Sequence, residues 1–133
     1  MKRGLAPFVA LVVITAVSTS AIAGETPVDK KQYLYRLQLI PRLVDDSNWT
    51  DADNKIVEEH FERLKKMLAG GTLVLAGRTL NQDESAFGIV IFEAASEKEA
   101  RRIMEGDPAV REGIMTAELF PYRVALIRAE AAE

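Results

Sequence analysis

The chain of 133 residues contains no cysteine, one histidine and one tryptophan. Without cysteine there are no disulfides, zinc ribbons, iron–sulfur ligands or thiol nucleophiles. A single histidine excludes every metal site built from several imidazoles. Cations are also outnumbered, with 17 Lys+Arg against 20 Asp+Glu and a formal charge of -3. That balance argues against a phosphate-tracking surface and so against nucleic acid as a partner. The length allows one small domain.

The two ends of the chain differ in composition from its middle. Lys2 and Arg3 precede an apolar run from Leu5 to Val17, and Ala21-Ile22-Ala23 then fits the small-x-small pattern of a cleavage site. Residues 1–23 therefore read as a secretory signal peptide. The run is shorter than the roughly 20 residues that a membrane-spanning helix needs. The alternative is a signal kept as an anchor. Cleavage would yield a periplasmic or secreted protein, not inserted in a membrane, whose charge is more negative by the two lost cations. Residues 24–31 are a polar leader, 32–127 the folded domain and 128–133 a polar tail.

Within the domain, Tyr33 to Ile40 is rich in aromatic and branched residues and predicts a strand stopped by Pro41. Thr50 is a good N-cap, with Asp51 and Asp53 in the first turn of a helix over 51–69. Ile56, Val57, Phe61, Leu64, Met67 and Leu68 form its apolar stripe, and Gly70-Gly71 ends it. Thr72–Leu80 and Ala86–Ala94 predict a hairpin. Ser96 and Glu99 form a capping box for a second helix that ends at Gly106. Asp107-Pro108 turns the chain, a short helical turn spans Ala109 to Gly113, and Met115–Ile127 is a last strand interrupted by Pro121.

The order βαββαβ predicts an α+β, ferredoxin-like fold: an antiparallel sheet with two helices on one face. The alternation in the second and third strands leaves both sheet faces apolar, with Leu73 and Leu75 on one side of the second strand and Val74 and Ala76 on the other. Two apolar faces and helices for one imply a homodimer whose sheets pack together.

Few residues could carry chemistry. His60 lies at the edge of the first helix's apolar stripe, where spacing alone favours a partly exposed helix histidine over a catalytic one. Asp107, held between Gly106 and Pro108, suits either an imidazole partner or a turn-former. Arg36, on the strand side away from the helices, and Arg78, after Gly77, could each bind a carboxylate or phenolate, or serve as a structural or rim charge. Asp51-Ala52-Asp53-Asn54 begins like a calcium loop, but it lacks the later glycine and a helix starts inside it. The glycines match no dinucleotide or phosphate loop, and Ser85 and Ser96 lack a nucleophile-elbow context.

Three stretches together resemble the YCII-related family. They are His60-x-x-x-Leu64-x-x-x-Leu68-x-x-Gly71-x-Leu73-x-x-Ala76-Gly77, Phe87 to Ala94 followed by Ser96-x-x-Glu99-Ala100, and Gly106-Asp107-Pro108-Ala109-Val110-x-x-Gly113-Ile114. The resemblance runs from about Tyr33 to Leu126. It implies a dimeric α+β barrel and a small enzyme or ligand binder with a His–Asp pair in a cleft, which maps onto His60 and Asp107. The sequence departs from the family's usual aromatic after Asp-Pro, where it has Ala109, and from the proline after Ala-Gly, where it has Arg78. Export also departs from a family best known from the cytoplasm. The expected activity is proton transfer on a small oxygenated molecule, of lyase, isomerase or dehalogenase type, with no cofactor and no metal. The alternatives are a non-catalytic dimer that binds a small ligand through Arg36 and Arg78, and a dimeric scaffold without a ligand.

Overall fold

The computed structural model describes residues 29–129. The signal-peptide reading of residues 1–23 lies outside that range, as do most of the leader and the last four residues of the tail. The elements are β1 (Lys31–Leu39), α1 (Asp51–Ala69), β2 (Leu73–Arg78), β3 (Gly88–Ala94), α2 (Glu97–Glu105), α3 (Pro108–Arg111) and β4 (Met115–Tyr122). Two 3-10 turns, Pro41–Leu43 and Asp46–Asn48, join β1 to α1. The four strands pair antiparallel in the order β2-β3-β1-β4. The fold is the expected ferredoxin-like α+β arrangement, with α3 as a short third helix after Asp107.

The β1 alternation decides which side is buried. Tyr33, Tyr35 and Leu37 join Val90, Phe92 and Ala94 of β3 beneath Leu64, Ala100 and Met104 of the helices. A second, smaller cluster of Leu43, Ala109 and Ile114 packs with Ile56 and Val57 of α1. Leu34, Arg36 and Gln38 alternate onto the opposite side of the sheet, only partly buried.

The helix α1 has the predicted bounds, and its start is tied down more firmly than dipole effects require. Thr50 Oγ1 accepts from the Asp53 amide at 3.2 Å, while Asp53 Oδ2 accepts from the Thr50 amide at 2.9 Å. This is a complete capping box. Asp53 is 4 % exposed and also receives a two-pronged Arg42, Nη2 to Oδ1 at 2.7 Å and Nη1 to Oδ2 at 3.0 Å. At the other end Gly71 takes φ 75°, a conformation that L side chains resist, and the Thr72 amide returns to Met67 O at 2.9 Å.

Several sequence expectations are corrected. Phe61 and Leu68, assigned to the buried stripe, are both 59 % exposed. A bulge lies between Leu73 and Leu75, which pair with Phe92 and Ile91 respectively. The extra residue sends the two leucines to opposite sheet faces rather than the same one. β4 ends at Tyr122 instead of Ile127, one residue beyond Pro121, whose missing amide weakens the ladder there.

Candidate active site

A cleft of about 920 Å³ opens on the helix side of the sheet, between α1 and the β2–β3 end. Its volume suits a small organic molecule. Val57, His60, Phe61 and Leu64 line it from α1, at the i, i+3, i+4, i+7 spacing that puts four side chains on one helix face. Leu37 and Leu39 form its floor from β1, and Trp49 and Phe87 contribute aromatic walls. The Trp49 indole is fixed by its Nε1, which donates to Leu43 O at 2.9 Å. Asp46, Asn54, Arg78 and Thr79 add polarity.

Asp107 is fully buried beside this cleft. Its backbone is extended, φ -64° and ψ 127°, as the following proline favours. The carboxylate caps α3 by accepting from the Ala109 amide at 3.0 Å. It also accepts from the Tyr35 hydroxyl at 2.7 Å. His60 Nδ1 lies 2.7 Å from Oδ1 and 2.8 Å from Oδ2. Burial pushes the Asp107 carboxyl up. The bonds from His60, Tyr35 and the Ala109 amide together outweigh it, and the group lies below its ordinary value.

This geometry fixes the imidazole tautomer. An ionised carboxylate only accepts, so Nδ1 carries the proton in its bond to Asp107. In the neutral ring Nε2 then keeps the lone pair. The His60 side chain is 12 % exposed and borders the cleft. An oriented imidazole with one free nitrogen can take or give a proton at a bound molecule.

The two arginines part company. Arg78 lines the cleft. Arg36 does not. The β1 alternation sends Arg36 to the other sheet face, where its Nη2 donates to Gln38 Oε1 at 2.7 Å, and it approaches the cleft only through the Phe87 ring, 5.5 Å from its guanidinium. Arg36 is therefore not among the residues that line this cleft. Ala109 is likewise a core residue, fully buried beside Leu43 and Ile114, rather than part of the cleft wall.

Sequence reasoning missed Tyr35 and Trp49. The available signal for Tyr35 was a phenol at a buried strand position, which needs a partner for its hydroxyl. Among the described residues no group of three or more His, Cys, Asp or Glu is placed to hold a metal ion, and no helix is long and apolar enough to cross a membrane.

The model of the YCII-related domain matches residues 38–122, from the end of β1 to the end of β4. The chain belongs to the YCII-related family. Among solved structures, this YCII-related protein is similar to the 5-chloro-2-hydroxyhydroquinone dehydrochlorinase of Burkholderia phenoliruptrix, solved with 2,5-dihydroxybenzoquinone. That match has 17 % identity and a TM-score of 0.53, and covers 69 % of this chain and 93 % of the other. An uncharacterised protein of Thermotoga maritima matches at 11 % identity and TM-score 0.47, over 71 % of this chain and all of the other. A variant of SnoaB, a cofactor-independent oxygenase of Streptomyces nogalater, matches at 16 % and 0.40, over 77 % and 99 %. At 17 % identity, the likeness to the dehydrochlorinase establishes the fold alone. No curated protein matches the chain in sequence.

Proposed function

We propose that this YCII-related protein is an exported, homodimeric enzyme that moves a proton on a small oxygenated molecule, with His60 Nε2 as the acid–base atom and Asp107 as its orienting partner. The observation that carries the reading is the buried Asp107 carboxylate on Nδ1 of a histidine that borders the cleft. Asp107 holds the ring in one orientation and stabilises the imidazolium that forms when Nε2 takes a proton. Arg78 is the cation available in the cleft for a carboxylate or phenolate on the ligand. Lyase, isomerase or dehalogenase chemistry is compatible with this set of groups.

Two further parts of the reading have their own support. Leu75, Phe120 and Tyr122 are 45 %, 38 % and 40 % exposed. By register Leu75 and Phe120 share the helix-free sheet face with Leu34 and Ile91, an apolar patch that a second sheet would cover. Export is supported by Lys2, Arg3, the Leu5–Val17 run and Ala21-Ile22-Ala23.

The test is a screen of hydroxylated aromatics, quinones and small hydroxy acids. Binding is read by quenching of Trp49, the only tryptophan and a wall of the cleft. Turnover is read by product analysis. Turnover that disappears in His60→Gln while quenching persists supports the enzyme. Quenching without turnover in the parent chain and in His60→Gln alike would establish a binding protein instead.

A further inference from the structure

The proposed pair leaves Tyr35 and Arg63 unused. Tyr35 is fully buried in β1, and its hydroxyl donates to Asp107 Oδ2 at 2.7 Å. Among the described residues, the other polar groups on that carboxylate are His60 Nδ1 and the Ala109 amide. Arg63 stands one turn after His60 on α1. Its Nη2 donates to Ile103 O at 2.8 Å, near the C-terminal end of α2. Its Nη1 is buried with no hydrogen-bond partner among the described residues. A Cβ at Gly106 would lie 3.1 Å from Arg102 O and 3.3 Å from Arg63 Nη2, closer than is usual for either. Burial first, and then the Asp107 charge, make the Tyr35 hydroxyl harder to ionise, and the Arg63 charge opposes them. A buried N–H without a partner is costly.

We infer that Tyr35, with Arg63 behind it, is the positioning residue of the His60–Asp107 pair. It occupies one lone-pair direction of Oδ2, fixes the carboxylate plane, and withdraws electron density that Asp107 would otherwise concentrate on Nδ1. Arg63 makes the Tyr35 hydroxyl a stronger donor. The other charged groups near the pair are Arg78 of β2 and Asp46 of the second 3-10 turn, both lining the cleft rather than bonded to Asp107. This inference rests on the His60–Asp107 reading, but its test does not use turnover.

The experiment is a titration of the Asp107 carboxyl by carbon NMR in the full chain, its signal assigned by difference with Asp107→Asn. Tyr35→Phe removes the donor and keeps the ring. The expected result is a midpoint higher than in the parent by about half to one pH unit, a three- to tenfold gain in proton affinity. Tyr33→Phe is the control. Tyr33 is buried in the same core, and Asp107 has no bond from it. Its removal should leave the midpoint in place, which a merely structural effect of losing a buried hydroxyl would not. Arg63→Met should move the midpoint the same way by less, and it carries the test if Tyr35→Phe does not fold. An Asp107 midpoint unmoved by Tyr35→Phe, or by Arg63→Met in that case, overturns the inference. Loss of the enzyme reading would instead show as turnover that survives His60→Gln.

Discussion

His60 and Asp107 are 47 positions apart, and their side chains meet at 2.7 Å. One is delivered by the middle of α1 and the other by the turn between α2 and α3. Neither can move without disturbing packing. His60 stands four residues before buried Leu64, and Asp107 is a core residue as well as a helix cap. A charge buried this completely persists only when its acceptor capacity is filled.

Asp107→Asn should therefore be costly in two ways. The amide oxygen can still accept from the Ala109 N–H, but the charge that favours both the Nδ1 proton and the imidazolium is lost. Urea denaturation should show a loss of about 1.5–3 kcal/mol, the scale for a hydrogen bond to a charged group. Turnover on a confirmed substrate should fall in parallel with that of His60→Gln. A fully stable and fully active Asp107→Asn protein would contradict the assigned role.

Acid should destabilise the protein in a defined window. Asp53 and Asp107 both have folded-state values below the ordinary carboxylate range. For Asp53 the chief cause is the Arg42 bond, and for Asp107 hydrogen bonds that outweigh burial. A depressed group contributes stability that is present above its unfolded value, about 4, and lost as pH falls through its folded value. Unfolding free energy should thus decline as pH drops below about 4, and the decline should be shallower in Asp53→Asn and in Asp107→Asn. An unchanged slope in both variants would show that these carboxylates are not the acid-sensitive groups.

Arg42→Met should lower the thermal midpoint measured by calorimetry. Arg42 is half exposed, so the loss comes from the partner left behind. Asp53 would keep its Thr50 bonds while its buried charge lost its cation. An unchanged midpoint would mean that the pair is replaceable by water.

Ala109→Phe tests the smaller cluster. The YCII-related family usually has an aromatic at this place, yet here Ala109 is fully buried against Leu43 and Ile114. Inserting a ring should cost about 1–3 kcal/mol through overpacking, read by urea denaturation. A neutral or stabilising substitution would show that the cluster holds unused space.

The apolar sheet face predicts twice the chain mass by light scattering. Phe120→Lys should halve it, because Phe120 is 38 % exposed on the face proposed to be covered, and a charge there is tolerated only in water. A parent chain that already scatters as a monomer would contradict the dimer.

Local signals made much of the fold legible. The Thr50 cap, the i, i+3, i+4 stripe and Gly70-Gly71 bound α1 correctly at both ends, and Ser96 marks the start of α2. The bulge in β2 left no such mark, since one extra residue in an apolar strand looks like ordinary alternation. Arg42 and Asp53 are likewise 11 positions apart on different elements, so Asp53 read as a dipole charge rather than half of an ion pair. Spacing alone favoured a partly exposed helix histidine at His60 and left Asp107 as either a turn-former or an imidazole partner, and their pairing came from the resemblance to the YCII-related family. Tyr35 did not, because period-two alternation marks a buried phenol without saying what its hydroxyl meets. Which arginine reaches the cleft depends on the side on which the cleft opens, and that follows only from the packing of α1 on the sheet.

The most direct measurement is kcat of His60→Gln against the parent chain on a substrate found by the Trp49 screen, at equal Trp49 quenching. Loss of the acid–base atom should lower kcat by about 10²–10⁴-fold while ligand binding persists. An unchanged kcat would contradict proton transfer at His60.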